Sequence, residues 1–228
     1  MTNAQPGDEN KIWYLKKNRL FANAPVEAVA EGAGIFTMEL LPKRATFFDQ
    51  GDAKKVVFLI KTGRVRIART TADGKEVTVA ILGPGDMFGE DALFGGGERT
   101  TVATCMEETL ICKAHADDLF ALLEKNSAFA LNVAQMLSDR LSDASATIED
   151  LAYAKISDRL VNLFERLAAE HGRPAAGGTL LDVRLTHADI ASIIGSTRET
   201  VSLEMNALVR AGQIKQEGGY ITVLNRKD

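Results

Sequence analysis

Residues 195–214 of the chain read GSTRETVSLEMNALVRAGQI. The segment begins with a glycine and polar residues, continues with a helical apolar pattern and stops at a second glycine. Val201, Met205 and Leu208 recur at i, i+4 and i+7 of a helix predicted from Thr197 to Arg210. One face of this helix must therefore be buried, and the other face is left free for a partner.

A shorter helix is predicted just before it. Thr186, with Asp189 three residues later, has the spacing of a capping box that opens a helix, and Gly195 supplies the turn between the two helices. Residues 214–224, interrupted at Gly218-Gly219, predict a two-stranded wing. Two short helices around a glycine turn are typical of a helix-turn-helix, whose second helix enters the major groove of DNA. The alternative is an ordinary helical hairpin.

Two adjacent side chains at the start of the second helix have the chemistry to read bases. Arg198 can donate two hydrogen bonds to guanine O6 and N7, and Glu199 can accept one from cytosine N4. In the alternative reading, both side chains are merely solvated. The whole chain has a net charge of −4, whereas residues 155–228 hold 10 Lys and Arg against 9 Asp and Glu. This tilt has the sign expected of a nucleic-acid-binding segment, but it is small.

The N-terminal half has a different pattern. From Ile35 to about Lys113, short apolar runs alternate with turn signals, as in KVVFLIKTGRVRIARTTADGKEVTVAILGPGDMFGE, residues 55–90. Asp73-Gly74 between two β-branched runs is a strong hairpin signal. Several such strands at short spacing predict a compact all-β roll or barrel of the jelly-roll kind, so the chain is expected to be an α+β protein.

At about Asp117 the period changes to that of a helix. Residues 117–154 contain neither glycine nor proline, and they predict one long helix. Its apolar positions alternate in steps of four and three, which defines a seam: Ala130, Ala134, Leu137, Leu141, Ala144, Ile148 and Leu151. The seam could pack on the chain's own core, but its narrow and regular form favours a parallel homodimer. A further helix is predicted for residues 156–169, and the resulting domain limits are 1–116, 117–154 and 155–228.

Composition excludes several classes of protein. With 46% hydrophobic and 25% charged residues, the chain is an ordinary globular protein. It has no apolar run of about 18 residues and no secretory signal at its N-terminus, which predicts a cytoplasmic protein that does not bind membranes. Cys105 and Cys112 are expected as small core residues rather than as a disulfide. No metal site is expected, because cysteines and histidines are few and scattered.

In this order of elements the chain resembles the CRP/FNR family of bacterial transcription regulators over nearly its whole length. The motif STRETVS, residues 196–202, is similar to the family's recognition-helix signature for TGTGA-like half-sites. The resemblance implies base contacts from Arg198 and Glu199. It also implies further DNA contacts from a set of hydroxyl side chains: Thr186, Thr197, Thr200 and Ser202. Leu203 stands where the family often has an arginine, and it could meet a thymine methyl group instead.

A second motif, FGEDALFGGGERTTV at residues 88–102, resembles the family's phosphate-binding cassette. The resemblance implies that cAMP or another cyclic nucleotide is bound by Gly89, Glu90, Asp91, Ala92, Arg99, Thr100 and Ser145. In chemical terms Arg99 can clamp a phosphate, Thr100 can donate its hydroxyl, and Glu90 can accept from a ribose 2′-OH. Backbone N–H groups at the start of a helix would also attract the anion.

The cassette departs from the family pattern. Asp91 and Ala92 replace the usual Leu-Gly pair, and the loop is one residue short. An acidic group beside a bound phosphate is repulsive unless it points away. On the long helix, Ala144 and Ser145 replace a Thr-Ser pair that meets the adenine in cyclic-AMP-binding relatives. A degenerate cassette that is kept only as structure is therefore the alternative.

The sequence thus predicts a homodimeric, sequence-specific DNA-binding regulator gated by a small ligand, cAMP or another cyclic nucleotide, and the resemblance implies an activator that contacts RNA polymerase. Two alternatives remain, namely a constitutive regulator of the same fold and a nucleotide-binding module that acts on a protein partner. An enzyme is not expected, because the motifs assemble no activated nucleophile, no carboxylate pair and no phosphate-loop lysine.

Overall fold

The computed structural model describes residues 14–16, 18–94 and 98–225. The chain forms two compact units. The first unit runs to Asp73 and resumes over Ala80–Leu141, and the second takes Gly74–Val79 and continues from Ser142. The domain limits at residues 116 and 154 remain a prediction, because this division follows contacts rather than the order of motifs.

Residues 37–115 form mainly antiparallel strands. A short α1 (Val26–Ile35) precedes them, and a single turn, α2 (Asp91–Phe94), interrupts them. The strands are β1 (Thr37–Leu41), β2 (Thr46–Phe48), β3 (Val56–Thr62), β4 (Val65–Thr70), β5 (Glu76–Leu82), β6 (Met87–Phe88), β7 (Val102–Cys105) and β8 (Thr109–His115). They form two four-stranded sheets with the orders β1-β8-β3-β6 and β2-β7-β4-β5. The two sheets bury apolar residues in a common core, as stacked sheets do, and the predicted β-roll is confirmed.

That core is aromatic. Phe47 and Phe48 of β2 contact Phe58 of β3 and Phe88 of β6, with the rings of Phe58 and Phe88 stacked at 4.8 Å between centroids. A second cluster lies between the sheet that contains β3 and the flanking helices. Each of the two clusters takes one of the cysteines, and both are buried and form no disulfide. The prediction of small core residues is therefore confirmed.

The predicted continuous helix over residues 117–154 is wrong at one position. The structure has α3 (Ala116–Lys125) and α4 (Ser127–Tyr153), separated at Asn126, whose φ of −130° and ψ of 91° are extended. The Asn126 side chain donates to the Leu122 carbonyl at 3.2 Å, which ends α3 by competing with the helical backbone bonds. The break lets Leu122 and Phe129 enter the same core cluster.

The second unit contains three further helices and a sheet. They are α5 (Ile156–His171), β9 (Gly172–Ala175), β10 (Gly178–Leu181), α6 (His187–Ile194), α7 (Arg198–Arg210), β11 (Ile214–Glu217) and β12 (Tyr220–Leu224). The sheet order is β11-β12-β10-β9, so the wing is part of a four-stranded antiparallel sheet rather than a two-stranded ribbon. The sequence reasoning missed β9 and β10 because Pro174 and the glycines around it are typical of loops, although proline is tolerated on an edge strand.

None of the helices that the structure describes is both long enough and apolar enough to cross a membrane.

Candidate functional site

The first helix of the predicted DNA-binding pair is fixed by a capping box at its start. The Thr186 hydroxyl accepts from the Asp189 N–H at 3.1 Å, and the Asp189 carboxylate accepts from the Thr186 N–H at 2.8 Å. The helix ends at Gly195, whose φ of +63° and ψ of 48° are left-handed. A Cβ at that position would lie 3.0 Å from Leu151 Cδ2, so both the conformation and the space favour glycine. The predicted helix-turn-helix geometry is present.

The second helix, α7, has one buried face and one free face. Val201, Met205 and Leu208 are buried, as the spacing predicted. Its exposed residues form a stripe that runs the length of the helix: Arg198, Glu199, Leu203, Asn206, Val209 and Arg210. Leu203 is 71% exposed in the middle of this stripe, which is unusual for a leucine on a helix whose apolar face is already packed. Ser202 is half-buried beside it.

The three predicted threonine contacts have structural roles of their own. Thr197 caps α7 by accepting from the Thr200 N–H at 3.2 Å, and the two threonine hydroxyls are 2.9 Å apart. The Thr186 hydroxyl donates to the Asp189 carboxylate at 2.6 Å. These hydroxyl groups are therefore positioned at the N-termini of α6 and α7, and their contact with DNA phosphates remains a prediction.

The end of α4 is tied to the helix-turn-helix by polar contacts within the second unit. Arg159 of α5 donates to the carbonyls of Leu151 and Ala154 at 3.0 Å each, and to the carbonyl of Ile194 at 3.2 Å. These acceptors are at the C-terminal ends of α4 and α6, where carbonyls lack helical partners and a cation is favourable. No local pattern of residues indicates this contact.

A second tie lies on the same face of α5, because Asn162 and Arg166 follow Arg159 at i+3 and i+7. Asp150 accepts from Asn162 Nδ2 at 2.6 Å and from Arg166 Nη1 at 2.7 Å. The Asp150 side chain is largely buried, so this pair is screened less than a surface ion pair.

In the first unit, the resembling phosphate cassette begins with a tight backbone turn. Gly89 has a φ of +79°, and a Cβ there would lie 2.9 Å from the Val56 carbonyl oxygen and 3.1 Å from Arg99 Nη1. Only glycine lets the arginine approach so closely. The helix that follows, α2, has only four residues, and residues 95–97 of the cassette lie outside the described part of the chain.

The cassette arginine faces inward. Its side chain is 1% exposed and lies over the Phe48 ring, 4.3 Å from the centroid. Arg99 Nη2 donates to the Lys54 and Val56 carbonyls at 2.7 and 2.5 Å, and Nη1 donates to the Gly89 carbonyl at 2.8 Å. These bonds hold strand β3 and the start of the cassette together.

Asp91 completes the set of acceptors around Arg99. Its Oδ1 accepts from Arg99 Nη1 in an ion pair, and from the Ala92 N–H at 3.0 Å. The Asp91 carboxylate therefore points toward the arginine rather than away from it. That Asp91 and Ala92 line a phosphate site remains a prediction. The remaining donor, Arg99 Nε, is buried without a partner among the described residues.

Glu90 pairs with an arginine that sequence reasoning missed. Arg140 of α4 donates from Nη1 to Glu90 Oε1 at 2.5 Å and from Nη2 to the Met87 carbonyl. The two residues are 50 positions apart, so no local pattern could have shown the pair. Glu90 is therefore engaged by a cation through Oε1, and its contact with a ribose hydroxyl remains a prediction.

Thr100 and Ser145 are both exposed. Ser145 and its neighbour Ala144 lie on α4 in the second unit, so their expected contact with an adenine remains a prediction. In residue type the cassette fits an anionic ligand, with Arg99, Arg140 and the hydroxyl of Thr100. In charge it does not, because Asp91 and Glu90 already neutralise both arginines.

The seam of α4 is exposed, and the opposite face of the helix is buried. Phe129, Val133 and Met136 pack into the core of the first unit. By contrast Leu141 and Ile148 of the seam are 69% and 67% exposed. Of the seam residues, Leu137 is half-buried against the core of the first unit, and the other six are exposed. The start of the seam also lines an apolar groove of about 370 Å³ together with Phe94, Phe120, Leu123, Glu124 and Val133.

Within the described ranges, no three His, Cys, Asp or Glu side chains are grouped so that they could hold a metal ion.

Comparison with known proteins identifies both units. The cyclic nucleotide-binding domain family matches residues 38–126, and the Crp-like helix-turn-helix domain family matches residues 154–228. The cyclic AMP receptor protein of Thermus thermophilus is 31% identical over 92% of this chain and 94% of that protein. The global nitrogen regulator of Nostoc sp. is 32% identical over 86% of this chain and 88% of that protein.

Solved structures agree with these matches. A CooA mutant from Carboxydothermus hydrogenoformans is 25% identical, with a TM-score of 0.73, and covers 92% of each chain. The Thermus thermophilus catabolite activator protein is 30% identical, with a TM-score of 0.54, over 90% of this chain and 93% of that one. The global regulator CLP of Xanthomonas campestris, described as c-di-GMP responsive, has the same fold, with 20% identity and a TM-score of 0.75 over 89% of this chain and 100% of that one.

Proposed function

Because this chain belongs to the CRP/FNR family of transcription regulators, with a cyclic nucleotide-binding domain and a DNA-binding helix-turn-helix, we propose that it works as a homodimeric, ligand-gated activator. In this proposal two copies pair along α4 and read a palindromic operator with α7. The effector is cAMP or another cyclic nucleotide. The family consists of regulators rather than enzymes.

The observation that carries the DNA-binding proposal is the free stripe of α7. Arg198 and Glu199 are exposed in its first turn, directly after the Thr197 cap, while Met205 anchors the opposite face. This is the end of a recognition helix that contacts base edges. Arg198 would donate to a guanine and Glu199 would accept from a cytosine, which is the chemistry of TGTGA-like half-sites.

Leu203 modifies this reading. It is apolar, has no hydrogen-bonding group and is largely exposed within the same stripe. A thymine methyl group is the base feature that an apolar side chain recognises in the major groove. The proposed half-site therefore has one position read by contact with a thymine rather than by a hydrogen bond.

The homodimer is supported by the exposed seam. A single α7 covers only one half-site, whereas a two-fold dimer presents two α7 helices to half-sites about 34 Å apart, one turn of DNA. The alternating spacing of the seam is that of a parallel coiled coil. The buried face of α4 fixes the helix on its own unit, which leaves the seam available to the second copy.

The effector is proposed from the domain and from the relatives. Those from Thermus thermophilus and Mycobacterium tuberculosis are named for cAMP, and the Xanthomonas regulator is described as c-di-GMP responsive. We therefore take cAMP as the first ligand to test. A ligand can gate DNA binding only if it binds two arrangements of the dimer with different affinities.

A second candidate, a constitutive regulator, is favoured by one specific observation. Arg99 is already paired with the Gly89 carbonyl and Asp91, and Glu90 is already paired with Arg140. The first unit therefore needs no ligand to satisfy these charged groups. A nucleotide-binding module that acts on a protein partner is a further alternative, which a DNA-binding test removes. Activation would require contact with RNA polymerase, and an operator on the chromosome implies a cytoplasmic location.

The test is a titration of a palindromic TGTGA-containing duplex at one stated salt concentration, with and without cAMP. Wild type, Arg198→Ala and Arg198→Lys are compared on this duplex and on a scrambled one. We expect both variants to lose about 1–3 kcal/mol on the specific duplex. The lysine variant keeps the charge but not the bidentate geometry, so its binding to scrambled DNA should be unchanged. Equal weakening on both duplexes would contradict base reading, and no effect of cAMP would favour the constitutive regulator.

A further inference from the structure

We propose that Asp91 lowers the affinity of the cassette for anions: its carboxylate is an internal counter-ion that occupies the anion-binding side of Arg99 and weakens the binding of any phosphate-bearing ligand. This inference rests on the proposed nucleotide-binding function. It adds a named competitor, carried by the chain itself, at the position where the ligand's phosphate would bind.

The hydrogen-bond donors of Arg99 are all buried or already in use. A guanidinium has five N–H groups. Four of those on Arg99 are taken by the carbonyls of Lys54, Val56 and Gly89 and by the carboxylate of Asp91. The fifth, on Nε, is buried without a partner within the described residues. An incoming phosphate therefore finds no exposed free donor on Arg99.

Only one of the four acceptors around Arg99 can leave without disturbing the fold. Three of the four acceptors are main-chain carbonyls, and two of these belong to β3 and the residues just before it, so they cannot move without disturbing the sheet. Asp91 is different, because it is a side chain and is 38% exposed. Rotation about its side-chain bonds takes the carboxylate into solvent without opening the core. Asp91 is thus the exchangeable partner.

The charge balance around the cassette also opposes the binding of an anion. Arg99 is paired with Asp91, Arg140 is paired with Glu90, and Lys54 lies 3.2 Å from Asp52. Each of these three cations has its own carboxylate. A phosphate is attracted to an excess of positive charge, and here an excess exists only when one carboxylate is removed.

The Asp91 ion pair should lower the affinity for cyclic nucleotides by an amount set by the strength of one charged hydrogen bond. A phosphate must replace a charged hydrogen bond that the chain already makes, and such bonds contribute about 1.5–3 kcal/mol. Removing the negative charge of Asp91 should therefore tighten the binding of cyclic nucleotides roughly tenfold to 100-fold. Asparagine at this position keeps an oxygen that can accept from Arg99, so the fold has a partner for the arginine.

The experiment compares wild type with Asp91→Asn, Asp91→Leu and the control Glu98→Gln. Glu98 is an exposed carboxylate directly before Arg99 in the chain, so the control removes the same charge from the same loop without removing the ion pair. Affinity for cAMP and cGMP is measured by calorimetry. Thermal unfolding is followed with inorganic phosphate against sodium chloride at equal ionic strength, which probes the anion site without a nucleoside.

The proposal expects at least about a tenfold gain in nucleotide affinity for Asp91→Asn, with Glu98→Gln within threefold of wild type. It is overturned if Asp91→Asn is folded but binds neither a nucleotide nor phosphate more tightly than wild type does. It is also overturned if Glu98→Gln gains as much as Asp91→Asn, because the effect would then be general charge. If the Asp91 variants gain phosphate stabilisation but bind no cyclic nucleotide, the role of Asp91 stands and the proposed nucleotide effector fails.

Discussion

Shortening two seam side chains of α4 in the variant Leu141→Ala/Ile148→Ala should convert the proposed dimer into monomers. Both side chains are about two thirds exposed in the single chain, and a fully buried leucine or isoleucine contributes about 1.5–3 kcal/mol. Each truncation therefore removes about 1–2 kcal/mol from the interface. Two-fold symmetry repeats both changes, so the total is about 4–8 kcal/mol.

A loss of this size raises the dimer dissociation constant at least about a thousandfold. Sedimentation of wild type and variant over a range of concentrations measures it directly. The control is Leu131→Ala, because Leu131 is also 69% exposed on α4 but is one residue, about 100°, beyond Ala130 of the seam. If the double variant and the control associate equally well, or if wild type is monomeric at working concentrations, the seam is not the interface.

Four further predictions follow from other contacts. Replacing thymine by uracil, which lacks the methyl group, across each half-site should weaken binding of wild type by about 1 kcal/mol at the position next to Leu203, and a Leu203→Ala variant should not respond to the same change. Gly195→Ala should lower the free energy of unfolding of the second unit by about 1–2 kcal/mol in chemical denaturation, because the residue has a φ of +63°. Arg99→Ala should lower the stability of the first unit by about 3 kcal/mol, because four acceptors lose a buried partner; an unchanged denaturation midpoint would contradict this. Burial raises the pKa of Tyr14 above its ordinary value of 10.0, so its stabilising contribution is complete below that pH and is lost as the pH rises further; Tyr14→Phe should flatten the alkaline fall in stability measured by denaturation.

The helix-turn-helix could be predicted because its signals are local. The box of Thr186 and Asp189, the left-handed Gly195 and the spacing of Val201, Met205 and Leu208 all act within a few residues of one another. The β-roll was predictable for the same reason, since turn residues between segments of alternating apolar and polar residues indicate hairpins. In both cases the local preference and the tertiary structure agree.

The parts that were missed depend on contacts between distant residues. Asn126 interrupts the helix because Leu122 and Phe129 must enter one core, and neither glycine nor proline marks the position. The pair of Glu90 and Arg140 joins residues 50 positions apart. The direction in which Asp91 points was also beyond the sequence, because it is set by the position of Arg99.

The contacts of Arg159 have a mechanical consequence. A single guanidinium donates to carbonyls at the C-terminal ends of α4 and α6. It therefore joins the final turn of the long helix to the first helix of the DNA-binding pair. A lysine at position 159 would present one amino group in place of the planar fork, so it could not donate to the same three carbonyls at once and the connection between the two helix ends would be weaker.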